Sequence, residues 1–154
     1  MELLHLLKPE AVKVVSTVSS KKRLLQVVGE LANSVYGLDV SETVSALQER
    51  ETLGPTGVGH GVALPHARSK TMEHVVGTFI LLEKPVDFGA VDNQPVDLVF
   101  SLFAPEAAGV DHLKALALVS RTLRDSSFCA KLRSNQDSAT LYTILTASQN
   151  TAAA

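Results

Sequence analysis

Residues 96–103, Val-Asp-Leu-Val-Phe-Ser-Leu-Phe, are apolar at all but two positions. A strand with one face in water alternates apolar and polar side chains. A nearly unbroken apolar run is therefore expected at the centre of a sheet covered on both faces. A second β-branched, apolar run at 74–82 carries Val75, Val76, Phe79 and Ile80 and reads as another strand. A chain with two such runs needs helices on either side of the sheet.

The flanking segments supply them. Ser20 is placed to cap a helix whose apolar face is Leu24, Val28, Leu31 and Val35, and Gly37 is placed to end it. A second helix is expected from near Ser41, with Val44 and Leu47 inward, stopping before Gly54-Pro55. Residues 11–15 read as a short strand after a break at Pro9, and Lys84-Pro85 as a turn leading into a loop. Beyond Ala104-Pro105 a helix is expected with Asp111 as N-cap and Leu113, Leu116, Ala117, Ser120 and Leu123 on one face. Two shorter helices, at about 127–133 and 138–147, follow. The expected fold class is α/β: a single-domain sandwich, a mixed β-sheet flanked by helices on both faces, over residues 3–147. Residues 148–154 are expected to form a flexible tail.

Composition narrows the function classes. With 19% charged residues and a net charge of −2 the chain resembles an ordinary globular protein and offers no basic face for nucleic acid. The short basic run Lys21-Lys22-Arg23 is expected to be a solvated helix start. No apolar run approaches the roughly 20 residues that span a bilayer, and no cationic leader precedes Leu3–Leu7, so neither membrane insertion nor secretion is expected. The single cysteine, Cys129, lies among Phe128, Ala130 and Leu132 and reads as a buried structural thiol. A cytoplasmic location is the expectation.

The segment 57–66, Gly-Val-Gly-His-Gly-Val-Ala-Leu-Pro-His, is where chemistry is expected. Gly57, Gly59 and Gly61 permit positive φ and close backbone approach, and with His60 they read as a flexible rim. Val62, Ala63 and Leu64 read as a buried strand that Pro65 terminates, displaying His66 at its end. A neutral imidazole can attack phosphorus to form a labile phosphoramidate, chemistry suited to a group carrier. It needs donors or cations around the phosphoryl charge. His112 near a helix N-terminus and Arg50 before the rim are candidates to supply them, although Arg50 beside Glu49 and Glu51 also reads as a surface ion pair. His60, His66 and His112 also raise the question of zinc, but no close His-x3-His pair and no acidic ligand accompanies them. No cofactor or metal is expected.

Taken together, Arg50-Glu51, Gly54-Pro55-Thr56-Gly57, the segment ending in Pro65-His66, Asp92-Asn93-Gln94-Pro95-Val96-Asp97-Leu98, and His112-Leu113 with Leu116 and Leu118 resemble the IIA domains of the bacterial phosphotransferase system. The relevant branch is the fructose/mannitol/nitrogen-regulatory one, and the likeness runs from about residue 3 to 147. The resemblance implies the mannitol/fructose-type IIA fold. It implies phosphorylation of His66 by a phosphohistidine on an HPr-like carrier protein. It also implies that His112 hydrogen-bonds the phosphoryl group and that Arg50 neutralises or orients it. A IIA read as free-standing, with the 92–98 segment, resembles the nitrogen-regulatory type, whose phosphorylation state governs binding to regulators of potassium and nitrogen metabolism. The alternative is a IIA that passes phosphate to a IIB protein for fructose- or mannitol-type uptake. Two residues depart from the pattern: His60 where Asn is common, and Ala67 where Gly is frequent.

Overall fold

The structure, a computed structural model, describes the backbone of residues 1–153 and the side chains of residues 1–147. Of the tail expected at 148–154, the backbone of residues 148–153 continues the last helix, while its side chains and residue 154 lie outside the described residues.

Strand β6 (Val96–Pro105) sits in the middle of a six-stranded mixed sheet, as its apolar run requires. It pairs antiparallel with β5 (Val76–Val86) on one side. On the other side it pairs in parallel with β3 (Val62–Ala63) and β4 (His66–Ser69). Strand β1 (Leu7–Val15) closes one edge in parallel with β5, and β2 (Gly57–Gly59) closes the other, antiparallel to β3. Alternation along β5 and β6 splits the core in two. Phe79, Leu81, Leu98, Phe100 and Leu102 face one side. There α1 (Leu3–Leu6), α4 (Val110–Leu123), α5 (Ser126–Arg133) and α6 (Ser138–Ala153) pack. Ile80, Leu82, Val99 and Phe103 face the other, under α2 (Lys21–Tyr36) and α3 (Val40–Thr52).

Helix α2 begins and ends as its sequence directs. The Ser20 side chain accepts from the Arg23 amide at 3.1 Å, and Gly37 closes the helix in the left-handed conformation at φ 74°. Helix α3 starts at Val40 because Asp39 accepts the Glu42 amide at 2.9 Å. Each such cap contributes about 1 kcal/mol.

Several expectations need correction. Pro65 does not end the sheet pairing. Its carbonyl accepts the Leu102 amide at 3.1 Å, and the chain re-enters the sheet at once as β4. His66 therefore opens a strand instead of closing one. Pro9 lies within edge strand β1, and Lys84-Pro85 within β5 at a register shift, places where a missing N–H leaves no central ladder bond unmade. Strand β5 accordingly starts two residues later than expected and runs four further. Helix α4 is capped by Gly109, not Asp111, and buries His112, Ala115, Leu118, Val119 and Leu123. Leu113 is 68% exposed. Apolar residues occur all around this helix, so either stripe is legible in the sequence, and the packed one turns His112 inward. Lys21 is not simply solvated: it pairs with Glu51 at 2.9 Å, its ammonium 4.4 Å from the centre of the Phe88 ring.

Candidate active site

His66 is the first residue of β4, held against β6 opposite Leu102, so its backbone cannot drift. Its ring is half-buried and both nitrogens are committed. Nδ1 lies 2.9 Å from the Leu64 carbonyl, which can only accept, so Nδ1 carries the proton. Arg50 Nε–H donates to Nε2 at 3.2 Å, and because arginine cannot accept, Nε2 holds the lone pair. One tautomer follows from these two contacts. Burial pushes the His66 pKa below the ordinary imidazole value; the Leu64 carbonyl opposes this, and the Arg50 charge adds to it. The ring is neutral near pH 7, with a nucleophilic pair at Nε2.

Arg50 reaches this position from the last turn of α3, where its Nη1 also donates to the Gly54 carbonyl at 3.1 Å. It makes no ion pair with Glu49 or Glu51. The Glu51 carboxylate turns the other way, accepting the Thr56 amide at 3.1 Å and the Thr56 hydroxyl, and pairing with Lys21. Glu51 thereby latches the end of α3 to the start of β2 and leaves the arginine free to face His66.

His112 comes from the first turns of α4, its ring edge-on to that of His66 with centroids 5.5 Å apart and planes at 76°. It is 7% exposed, and its Nε2 has no hydrogen-bond partner among the described residues. A buried orphan of this kind costs about 1–3 kcal/mol unless something arrives to satisfy it. Burial lowers the His112 pKa, with the neighbouring His66 and Arg68 adding to the effect. Arg68, two residues beyond His66 on β4, donates Nη1 to the Glu106 carbonyl at 2.5 Å. Arg50, His66, Arg68 and His112, with Glu49 and Leu113, line one open cavity of about 500 Å³. The arrangement offers a neutral nucleophile, two cations and an unsatisfied buried imidazole, a set suited to receiving a small oxyanion.

The structure thus brings together Arg50, His66 and His112. It does not bring Gly57, Gly59, His60 and Gly61 into that cavity. Gly59 and His60 instead line a separate cavity of about 450 Å³ with Cys129 and Arg133. His60 adopts a left-handed φ of 56°, uncommon outside glycine, and its backbone is gripped from both sides. Asp92 Oδ2 accepts its amide at 2.9 Å, and Arg133 Nη2 donates to its carbonyl at 2.8 Å. Arg133 is itself fixed by Asp97 through bonds of 2.8–3.1 Å. The rim is a rigid clasp, and the two aspartates of the 92–98 segment hold it. Cys129 is buried, as expected, its thiol donating to the Leu123 carbonyl at 3.1 Å and its pKa raised by burial.

Sequence reading missed Arg68, Glu51 and Arg133. Arg68 was within reach, since residues i and i+2 of a strand share a face. Arg133 lies 36 residues beyond Asp97, and nothing local signals the pair.

Comparison with known proteins shows the family and the fold. Residues 5–148 match the family described as "Phosphoenolpyruvate-dependent sugar phosphotransferase system, EIIA 2". The chain belongs to this family of phosphotransferase IIA domains. It is 44% identical over 153 residues to a nitrogen regulatory protein of Bradyrhizobium diazoefficiens, covering 99% of this chain and 100% of the relative. Its fold matches the crystal structure of nitrogen regulatory protein IIA-Ntr from Neisseria meningitidis with a TM-score of 0.84. Those two chains are 34% identical, with 92% of this chain and 97% of the other covered. The mannitol IIA of Escherichia coli shares the fold at a TM-score of 0.75 and 22% identity, over 90% and 97% of the two chains. No helix among the described residues is long and apolar enough to cross a membrane.

Proposed function

We propose that this chain is a regulatory phosphoryl carrier that accepts a phosphoryl group on His66 Nε2 from a phosphohistidine of an HPr-like protein. In its phosphorylated or free state it then binds or releases regulatory targets, such as those governing potassium and nitrogen metabolism. The observation that carries the reading is the His66 tautomer. The Leu64 carbonyl holds the proton on Nδ1, and the lone pair at Nε2 faces Arg50 inside a cationic cavity. In the transfer step the Nε2 pair attacks phosphorus. The bond from phosphorus to the donor nitrogen breaks, and that nitrogen keeps the electron pair. Nδ1 keeps its proton throughout, and the positive charge gained by the ring is stabilised at the Leu64 carbonyl. Arg50 exchanges its contact with Nε2 for one with the phosphoryl oxygens, and His112 Nε2–H gains an acceptor.

The regulatory reading draws support from the relatives named nitrogen regulatory proteins. A sugar-uptake relay would share the first step and differ only in handing the phosphate to a IIB protein. Incubation with purified upstream enzymes and labelled phosphoenolpyruvate tests the first step. An acid-labile, base-stable label absent from His66→Ala is expected, and equal labelling of that variant would overturn the reading. Onward transfer to a IIB protein at a rate matching the first step would replace regulation with relay.

A further inference from the structure

The cavity around His66 has a property that phosphoryl acceptance alone does not use: it is an anion cradle while the histidine is still free. Neither Arg50 nor Arg68 forms an ion pair among the described residues. Among the described residues their side chains hydrogen-bond to neutral groups, the Gly54 and Glu106 carbonyls and the His66 ring. The nearby Glu51 is already paired with Lys21, and Glu49, the one acidic residue among the described lining, makes no ion pair with either arginine. His112 Nε2 is buried and unpartnered at the same place. Two large apolar side chains of the lining stand in water: Leu53 is 81% exposed and Leu113 68%. Apolar side chains beside an open cationic cavity are the pattern of an interface with a charged anchor at its centre.

We propose that, with His66 unphosphorylated, this cavity receives an aspartate or glutamate side chain of a partner protein. The partner carboxylate sits between Arg50, Arg68 and His112, and apolar residues beside it cover Leu53 and Leu113. Phosphorylation of His66 fills the same cradle with about two negative charges, so partner binding and phosphorylation exclude one another by competition for the same donors. This inference rests on His66 as the phosphoryl acceptor, and it names the chemistry by which the free form is recognised.

The test uses the full chain and two blocked peptides, acetyl-Leu-Asp-Leu-amide and its Asn counterpart, titrated by NMR on the Leu53 and Leu113 methyls and the His112 ring. The Asp peptide should bind at least about tenfold more tightly, since a hydrogen bond to a charged group outweighs a neutral one by this order. His112→Ala and Arg68→Gln should each lower Asp binding toward that of Asn. Arg68 is exposed, so its variant keeps the test open if His112→Ala fails to fold. Phosphorylating His66 with phosphoramidate should abolish the Asp preference. Equal binding of both peptides, no binding, or an Asp preference that survives phosphorylation overturns the proposal. A phosphorus resonance recorded in the same sample separates the two ideas. Its absence counts against His66 as acceptor, while its presence with undiminished Asp binding counts only against the carboxylate cradle.

Discussion

The His66 ring is held in one tautomer by two neighbours that act on its opposite edges. Leu64 is only two residues away, so the backbone that presents the histidine also selects its tautomer. Arg50 keeps the other nitrogen in its acceptor state. Because burial lowers the His66 pKa, protonation that would block Nε2 sets in only below the ordinary value of about 6.5. The rate of phosphorylation should be level above that pH and fall beneath it, with an NMR titration of His66 whose midpoint lies below 6.5; a midpoint at or above it would contradict the burial argument. Arg50→Lys keeps a charge but loses the planar fork, and should lower the rate constant of transfer by about 10²-fold with the donor KM little changed. At this scale much was legible. Pro65-His66, Arg50 and His112 lay in recognisable segments. The choice of nitrogen was not, since it depends on which partner atoms lie within 3.2 Å.

Among the elements, the hairpin from β2 to β3 departs most from its sequence reading. Its glycines suggested mobility beside the histidine, yet each is where backbone meets another segment. A Cβ on Gly57 would stand 2.7 Å from that of Ala90, and one on Gly61 2.5 Å from Arg133 Nη2. Gly61 also has a φ of +80°. Gly61→Ala should therefore destabilise the protein by about 1–3 kcal/mol, read as a lower Tm, by displacing the arginine that holds His60. A melting curve unchanged within about 0.3 kcal/mol would show that the clasp is slack. The phase of α4 was ambiguous for a different reason. Leucines at 113, 116, 118 and 123 leave two apolar stripes, and only packing on the sheet decides between them. The outcome matters, because it buries His112 and leaves Leu113 at the mouth of the cavity.

The whole molecule is a sheet insulated on both faces, and the apolar run of β6 made that architecture readable before any contact was known. What the run could not reveal was that two short strands, β3 and β4, follow one another end to end along one edge of it, each parallel to it, on either side of Pro65. That arrangement depends on pairing across more than 30 residues. Since β6 is covered on both faces, Phe100→Ala, which empties a fully buried site, should cost about 3–5 kcal/mol in a denaturant melt. Stability should also depend on pH. His66 and His112 both bind a proton less readily folded than unfolded. Below about pH 6.5 the unfolded chain takes up protons that the folded chain resists, so stability is full above that value and declines as the pH falls through it. Melts at several pH values should show a decline that is reduced when His66 is replaced by Gln. The most direct measurement of all concerns the bond itself: phosphorus–nitrogen correlation NMR of the phosphorylated, nitrogen-labelled protein, which identifies the ring nitrogen that carries the phosphate. A single phosphohistidine at His66, bonded through Nε2 with Nδ1 still protonated, is expected. A phosphate on Nδ1, or on any other residue, would contradict the account.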